Sequence, residues 1–299
     1  MSATTIEASA EATPPGPAVR DGLPTILGDI WTSRELLDQL VRRDVRLRYR
    51  QAVMGFAWAI FMPALTIAAG LVIRGAMVSA GAAGPSLAGI ALKSWAWAFF
   101  AGAMNFATMS LLANIQLVTK IWFPREVLPL GAVLAQAVDS MVGFGVLVVL
   151  AIASAFLPIG IHVTVAWSMF WLPVLLLMLL VMTTGLAFLF SCANIFFRDV
   201  KYIVQVLLTF GIFFTPVLLE QSQLGRFGPI VMLNPLSPIL EGLRLAVTAG
   251  HNLAQPEFIN GRVTWHPWWL AYSAAWCLLV AWSGLRLFRD SSARFAEAY

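Results

Sequence analysis

The stretch from residue 41 to residue 73 constrains the fold more than any other part of the chain. Its first ten residues are strongly basic, with five arginines: Arg42, Arg43, Arg46, Arg48 and Arg50. The 22 residues that follow, 52–73, carry no charge. At about 1.5 Å per residue, a helix of that length crosses a hydrocarbon core roughly 30 Å thick. Because arginine-rich flanks stay on the cytoplasmic side, the stretch predicts a first crossing that starts inside the cell.

The composition places the whole chain in a membrane. Hydrophobic residues make up 60% of it and charged residues only 11%, which is too little charge to cover a soluble protein of 299 residues. The net charge of +4 does not indicate nucleic-acid binding, because the arginines sit at predicted membrane edges. Cys192 and Cys277 both lie in apolar stretches, which favours packing over a disulfide or a metal site.

Hydrophobic windows predict an all-α integral membrane protein with six transmembrane helices. The windows cover residues 52–73, 94–117, 130–157, 166–193, 202–219 and 268–288. With both termini in the cytoplasm, fourteen of the nineteen lysines and arginines fall on the inner side, as expected for a multi-pass protein. Residues 1–30 have no apolar leader and are rich in Ala, Thr and Pro, which predicts a disordered cytoplasmic tail. The membrane domain is predicted to occupy residues 51–299.

Residues 31–50 are predicted to form an amphipathic helix in the plane of the membrane interface. Leucines 36, 37, 40 and 47 contribute an apolar stripe, whereas Arg42, Arg46 and Arg50 recur every four residues on another face. Asp38 lies one turn before Arg42 and can pair with it. A basic anchor that sets the topology and a functional gate both explain this helix, and the two roles are compatible.

Residues 229–248 are apolar enough to suggest a seventh crossing, but polar and proline residues interrupt them. Such a crossing would also put the arginine-containing C-terminal tail outside. We therefore expect two short re-entrant helices that dip into the outer leaflet and return, with a break marked by Asn234, Pro235 and Pro238.

No enzyme signature is present. The chain lacks the GxxxxGK[ST] phosphate loop and the HExxH zinc motif, and its three histidines are isolated from one another. The sequence therefore favours a conduit over a catalyst, without a metal or cofactor of its own. Asp139 is a single acid near the start of the third predicted crossing; we expect it to make a structural hydrogen bond near the inner interface, with a proton pathway as the alternative.

The linker after the second crossing carries two bulky apolar residues among charges. It contains Trp122, Phe123, Pro124, Arg125 and Glu126. Pro124 can start a helix at its first turn, where the carboxylate of Glu126 is favourably placed. Exposed aromatics beside charges are typical of a docking site for a soluble partner, and also of an interfacial anchor.

Five segments together resemble the membrane subunits of ABC exporters for cell-surface polysaccharides, such as O-antigen, capsule and teichoic acid. They are RRDVRLRYRQAVMGFAW, WFPREVLPL, NIFFRDVKYIVQVLL, FFTPVLL and NPLSPILEGLR. Each is unspecific alone, but the five occur in the expected order over most of residues 40–245. Residues 1–30 lie outside the resemblance.

The resemblance implies a homodimer in the bacterial inner membrane that carries two ATP-binding cassette subunits. ATP and Mg would be bound by those partners, and this chain would be a transport subunit without enzymatic activity. Residues 31–50 would form the gate helix. Residues 120–128 would form the coupling helix that docks on the ATPase. The substrate would be a lipid-linked polysaccharide. An exporter of lipids or drugs and a proton-coupled secondary transporter are the alternatives.

The chemistry of a lipid-linked glycan suggests further candidates. Four arginines of the gate helix could attract its diphosphate: Arg42, Arg43, Arg46 and Arg50. Topology determination alone also explains them. Aromatic rings could present flat faces to a sugar chain, and the candidates are Phe56, Trp58, Phe61, Phe210, Phe213 and Phe214. Ordinary core packing is the alternative for each ring.

Overall fold

The structure is a computed structural model. It describes residues 28, 31–49, 57–81, 84–120, 123–154, 156, 163–164, 166–259 and 262–292. Several predicted features lie outside these residues: most of the N-terminal tail, Arg50, Phe56 and Trp122. The backbone of Trp58 is described, but its side chain is not.

Ten α-helices follow one another along the described part of the chain. They are α1 (Arg34–Tyr49), α2 (Ala57–Ser79), α3 (Leu87–Ala113), α4 (Ile115–Lys120), α5 (Val127–Ala153), α6 (Trp171–Phe196), α7 (Val200–Gly211), α8 (Gly228–Met232), α9 (Leu236–Arg244) and α10 (Pro267–Ser292). Short 3₁₀ turns cover Trp167–Phe170, Ile212–Phe214 and Gln221–Phe227, and a π-helical turn covers Leu245–Ala249. Strands β1 (Glu257–Ile259) and β2 (Arg262–Trp265) complete the order.

Four of these segments are long and apolar enough to cross a membrane: Leu87–Ala113, Val127–Ala153, Trp167–Phe196 and Pro267–Ser292. The prediction of a helical multi-pass membrane protein is thereby confirmed. Shorter apolar helices, Ala68–Ser79 within α2 and Val200–Phe214, fall at the first and fifth predicted crossings. The count of six crossings stays a prediction.

The second predicted crossing begins earlier than expected. We placed its start at residue 94, after the charge of Lys93, whereas α3 begins at Leu87. Lys93 is fully buried and lies 3.3 Å from a carboxylate oxygen of Glu241. Because its charge is paired inside the protein, it does not end the apolar helix.

A small antiparallel hairpin adds strands that the sequence analysis did not predict. Glu257 pairs with Trp265, and Ile259 pairs with Arg262, with a register shift after Glu257. Aromatic and β-branched residues favour strand here, and Trp265 anchors the hairpin, fully buried with its indole Nε1 donating to the Leu253 carbonyl at 3.0 Å.

Helix α3 lies at the centre of the bundle. It packs against α2, α5, α6, α7 and α9, and small residues such as Ala96, Ala103 and Ala107 line its buried face. The long helices have two distinct ends. We call them the hairpin end, where Trp171 of α6 bonds to Asn252, and the α1 end, where Leu40 of α1 packs with Phe188 of α6 and Phe288 of α10.

The backbones of α6 and α10 approach each other closely. A Cβ atom added to Gly185 of α6 would lie 2.6 Å from the backbone nitrogen of Ala281. A Cβ added to Gly284 would meet the backbone of Gly185 in turn. Small residues that let two backbones touch are a common means of helix association in membranes.

We expect Gly185→Ala to reduce the free energy of unfolding by about 1–3 kcal/mol, because the new methyl group has no space against α10. Thermal unfolding of the purified protein in detergent measures this effect. Gly145→Ala on α5 is the matched control, since a Cβ there meets nothing within 4 Å. Equal stability of the two variants would show that α6 and α10 do not pack in this way.

Candidate functional site

The arginines of α1 fall into two groups, one exposed and one bound to the helix bundle. Arg42 is exposed and pairs with Asp38, Nε to Oδ2 at 2.7 Å, as predicted from their spacing. Arg46 is also exposed. Arg43 is half-buried, and its Nη2 donates to Asp44 at 2.8 Å and to Asn114 at 2.9 Å. Because Asn114 follows directly on α3, Arg43 joins α1 to that helix.

Arg48 makes the deepest contact of α1, although it was not among the predicted functional arginines. Its Nη1 donates to the Gln136 side chain at 2.6 Å and lies 3.5 Å from Oδ2 of Asp139. The guanidinium also lies over the Phe106 ring, 3.9 Å from its centroid, in a cation–π contact. Asp139 thus has a charged partner on α1, and its expected structural role stays a prediction, with a proton pathway as the alternative.

Helical periodicity contains the signal that identifies Arg48. Leu40 is buried, and positions 44 and 48 follow it at steps of four on the same face. Leu47, which we assigned to the apolar stripe, is 59% exposed. In the last turn of α1, the face that packs on the bundle therefore passes through Arg48 and not through Leu47. There the guanidinium of Arg48 takes the place of an apolar side chain and contacts the carboxylate of Asp139.

The segment Phe123–Glu126 is a turn between α4 and α5 and not a separate helix. Pro124 disfavours helical backbone at the preceding residue. Phe123 is half-buried against the apolar cluster of the α1 end, which includes Leu40 and Phe288. Burial lowers the pKa of the Arg125 guanidinium, and the neighbouring Glu126 carboxylate opposes that effect.

Both charged residues of this turn bind the last turns of α10. Nε of Arg289 donates to Glu126 at 3.0 Å, and Nη1 of Arg125 donates to the Ser292 carbonyl. Glu126 is buried at 7% exposure, and it directly precedes α5, where a helix dipole favours a carboxylate. Arg125 and Glu126 are therefore attached to two long helices at once, to α5 by chain connection and to α10 by these bonds.

The four candidate channel aromatics whose side chains the structure describes lie on the outside of the single chain. Phe61 of α2, Phe210 of α7, and Phe213 and Phe214 in the next turn are all exposed, from 44% to 69%. Packing in the core of the single chain therefore does not explain these four residues. Their rings face whatever surrounds α2 and α7.

The segment 229–248 contains two short helices with a break between them. α8 ends at Met232 and α9 begins at Leu236. The Asn234 carboxamide accepts the Leu236 backbone N–H at 3.1 Å, and Ser273 of α10 donates to the Pro235 carbonyl. Pro238 is buried within the first turn of α9. That the two helices enter and leave a membrane from one side stays a prediction.

Four charged residues form a buried network at the hairpin end. Nζ of Lys93 lies 3.3 Å from Oε2 of Glu241. Nη2 of Arg244 lies 2.8 Å from the other oxygen of the same carboxylate, and Nη1 of Arg244 lies 3.6 Å from Oε2 of Glu220. Two positive and two negative charges balance, and none of these side chains is more than 15% exposed. We call this set the charge cluster.

The charge cluster connects three parts of the chain that are distant in sequence. Lys93 belongs to α3, Glu220 to the segment after α7, and Glu241 and Arg244 to α9. Glu220 also accepts the Ser86 backbone N–H at 2.7 Å. From the sequence, Lys93 only precedes the second predicted crossing, Glu241 and Arg244 only interrupt residues 229–248, and Glu220 has no assigned role. The missed signal is that charges inside an apolar segment require partners, and here both signs were available.

In the part of the chain that the structure describes, no group of three His, Cys, Asp or Glu residues could hold a metal ion. The candidate site consists of helix α1 at one end of the bundle, a turn bound to two long helices, and a pair of short helices held in place at the other end.

The chain belongs to the family described as "ABC-2 type transporter", which it matches over residues 35–247. This range begins with α1 and ends just after α9, so it includes the gate helix, the coupling turn and the charge cluster but not the β-hairpin or α10. The chain is thus a membrane component of a transporter, and the predicted resemblance is confirmed at the level of the family.

Two relatives cover nearly the whole chain. It is 25% identical over 277 residues to the O-antigen export system permease protein RfbA of Myxococcus xanthus, covering 91% of this chain and 98% of that protein. It is 27% identical over 266 residues to the protein of the same name from Klebsiella pneumoniae, covering 88% and 94%.

We expect Arg48→Ala to loosen α1 from the bundle, because Gln136 and Asp139 lose the cation between them. Loss of a hydrogen bond to a charged partner costs about 1.5–3 kcal/mol. Hydrogen–deuterium exchange of the α1 amides should accelerate. Arg34→Ala is the control, since Arg34 is exposed at the start of the same helix. Equal exchange in the two variants would mean that Arg48 does not hold α1.

We expect Glu241→Gln to reduce the free energy of unfolding by about 3–5 kcal/mol, because two buried cations then share the single carboxylate of Glu220. Thermal unfolding in detergent measures the loss. Asp38→Asn removes an acid from an exposed pair and should cost less than about 1 kcal/mol. A Glu241→Gln protein as stable as the Asp38→Asn control would contradict the buried network.

Proposed function

We propose that this chain is the transmembrane subunit of an ATP-driven exporter that moves a lipid-linked cell-surface polysaccharide, such as O-antigen or capsule, outward across a bacterial inner membrane. The observation that carries the proposal is family membership together with two relatives, named as O-antigen export permeases, that align over nearly their entire length. ATP would be hydrolysed, with Mg, in a separate ATP-binding cassette subunit.

The proposed assembly is a homodimer with two ATPase subunits, in which each chain crosses the membrane six times. Both termini and the α1 end face the cytoplasm, and the hairpin end faces outward. The exposed aromatic rings on α2 and α7 support the dimer, because a second copy would convert these outer faces into the walls of a shared passage. Phe61, Phe210, Phe213 and Phe214 would then present ring faces to the sugar chain, together with Phe56 and Trp58.

The proposed gate is α1. Arg42 and Arg46 are exposed on its free face, where guanidinium groups suit a diphosphate, and Arg50 continues the same spacing. Arg43 is already engaged with Asp44 and Asn114, so we assign it a smaller share in substrate binding than we assign to Arg46. Arg48 holds the helix to α5 and would set the position of the gate.

The proposed coupling element is the turn after α4, with Trp122 and Phe123 as its apolar contacts to the ATPase. Movement of this turn would act directly on α5, which begins at the next residue, and on α10 through the Glu126–Arg289 pair. Because α5 also carries Gln136 and Asp139, the same displacement would reach α1 through Arg48.

The first experiment is purification of the full chain from native membranes in mild detergent, followed by mass spectrometry and an ATPase assay. A stoichiometric ATPase subunit is expected. Deletion of the gene should trap lipid-linked polysaccharide on the cytoplasmic face of the membrane. A chain that purifies without an ATPase after gentle crosslinking, in cells that still display their surface polysaccharide, would overturn the proposal.

The same preparation tests the coupling turn. We expect Trp122→Ala combined with Phe123→Ala to insert normally but to lose ATP-driven export, because the apolar contacts to the ATPase are removed. The exposed Phe258→Ala on the hairpin is the matched aromatic control and should export at the wild-type rate. Wild-type export by the double variant would leave these aromatics as interfacial anchors only.

A further inference from the structure

A cavity of about 830 Å³ lies at the hairpin end, apart from the gate, the coupling turn and the exposed aromatics. One wall is formed by the 3₁₀ turn Gln221–Phe227 and the start of α8, and the opposite wall is formed by the β-hairpin. Polar side chains from both sides line it, namely Gln221, Ser222, Arg226 and Thr264. Its volume lies within the range of about 300–1,000 Å³ that is typical of small-molecule sites.

The polar wall of the cavity is held in place by bonds within the chain. The Glu220 backbone N–H donates to the Gln223 side chain at 3.0 Å, which fixes the start of the 3₁₀ turn. Glu220 itself belongs to the charge cluster. On the hairpin side, the Thr264 hydroxyl donates to Oε2 of Glu257 at 2.9 Å. A wall fixed in this way loses little conformational entropy when a ligand binds.

Gln221 is the residue that points to a ligand. Its side chain is only 6% exposed, yet its Oε1 accepts no hydrogen bond from the part of the chain that the structure describes. An unsatisfied buried carboxamide costs free energy, and such groups in folded proteins usually have a partner. The terminal torsion of glutamine is soft, so the side chain can turn its oxygen or its nitrogen toward the cavity.

The remaining lining indicates the chemical class of that partner. A carboxamide, hydroxyls and an exposed guanidinium offer several donors and acceptors, and no carboxylate is among the described residues that line the cavity. Pro229, Ile259 and Val263 supply an apolar surface opposite them. A sugar ring has this combination, with hydroxyl groups around its edge and C–H groups on its face. The absence of a carboxylate among the lining residues also allows an acidic sugar, which Arg226 would favour.

We propose that this cavity binds a sugar unit of the exported polysaccharide as the chain leaves the transporter, with Gln221 and Arg226 as its main polar contacts. This inference rests on the proposed function for the nature of the ligand. A sugar unit bound on the outward face would hold the polysaccharide between successive rounds of ATP hydrolysis and reduce its return into the passage.

Direct binding to the full-length chain in lipid nanodiscs tests the inference. The probe is a set of oligosaccharides released by mild acid from the polysaccharide of the native host, titrated by calorimetry. We expect saturable binding, weakened by at least about fivefold in Gln221→Leu and in Arg226→Ala, since each change removes about one hydrogen bond of roughly 1 kcal/mol. Gln255→Leu, an exposed glutamine of the same outer segment, should bind as the wild type.

Three results would overturn the inference. They are a lack of saturable binding by the wild type, binding by the variants that is as tight as that of the wild type, and binding of inorganic phosphate where the oligosaccharides do not bind. The last result would assign the cavity to lipid headgroups. Arg226 is exposed, so its variant tests the site even if Gln221→Leu fails to fold.

The outcome is separable from that of the proposed function. Binding is measured on the purified chain without ATP, whereas export requires the ATPase complex. Export with no oligosaccharide binding would refute the sugar site alone. Oligosaccharide binding by a chain that neither recruits an ATPase nor supports export would refute the proposed function and retain the site.

Discussion

The hairpin end of this protein depends on charges that water cannot reach. Removing an ion from water costs several kcal/mol, so Lys93 and Glu241 can coexist only if their geometry and further hydrogen bonds repay that cost. Each oxygen of Glu241 faces a different cation, and Nζ of Lys93 also donates to the Leu219 carbonyl at 3.2 Å. These requirements determine where α9 can sit relative to α3. If α9 were entirely apolar, it could slide or rotate against α3. The ion pair between Glu241 and Lys93 restricts it to one position.

The opposite end is held by a different combination of forces. There, an apolar cluster joins α1, the turn after α4 and the last turns of α10. A few charged contacts fix the orientation of these segments relative to one another. Arg48 and Glu126 each bind a partner on another helix. The partners Asp139 and Arg289 are 25% and 14% exposed, whereas Lys93 and Glu241 at the hairpin end are at most 1% exposed. Partly hydrated ion pairs are weaker than buried ones and can exchange partners more easily. The protein thus has one end built to stay fixed and one end that can be displaced at lower cost.

The sequence predicted the apolar helices and the amphipathic α1 because long uncharged runs and helical periodicity leave few alternatives. It misplaced the start of α3, since a lysine in an apolar run looks like a boundary until its acid partner, almost 150 residues away, is known. It assigned Leu47 to the buried stripe of α1, although Arg48 points inward. Whether residue 47 or residue 48 faces inward depends on Asp139, which lies on a different helix. Long-range pairing of this kind has no local signature, and the short hairpin, with only a few residues per strand, gives almost no periodic signal either.

The backbone contact between Gly185 and Gly284 has a mechanical consequence. Because no side chain separates the two backbones at this point, neither helix can rotate about its axis without first moving away from the other. The two helices α6 and α10 thus form a rigid pair. If the coupling turn moves as proposed, its bond to Arg289 would apply force to the last turns of α10, and the close backbone contact would favour a tilt of α6 and α10 together over sliding of one helix along the other.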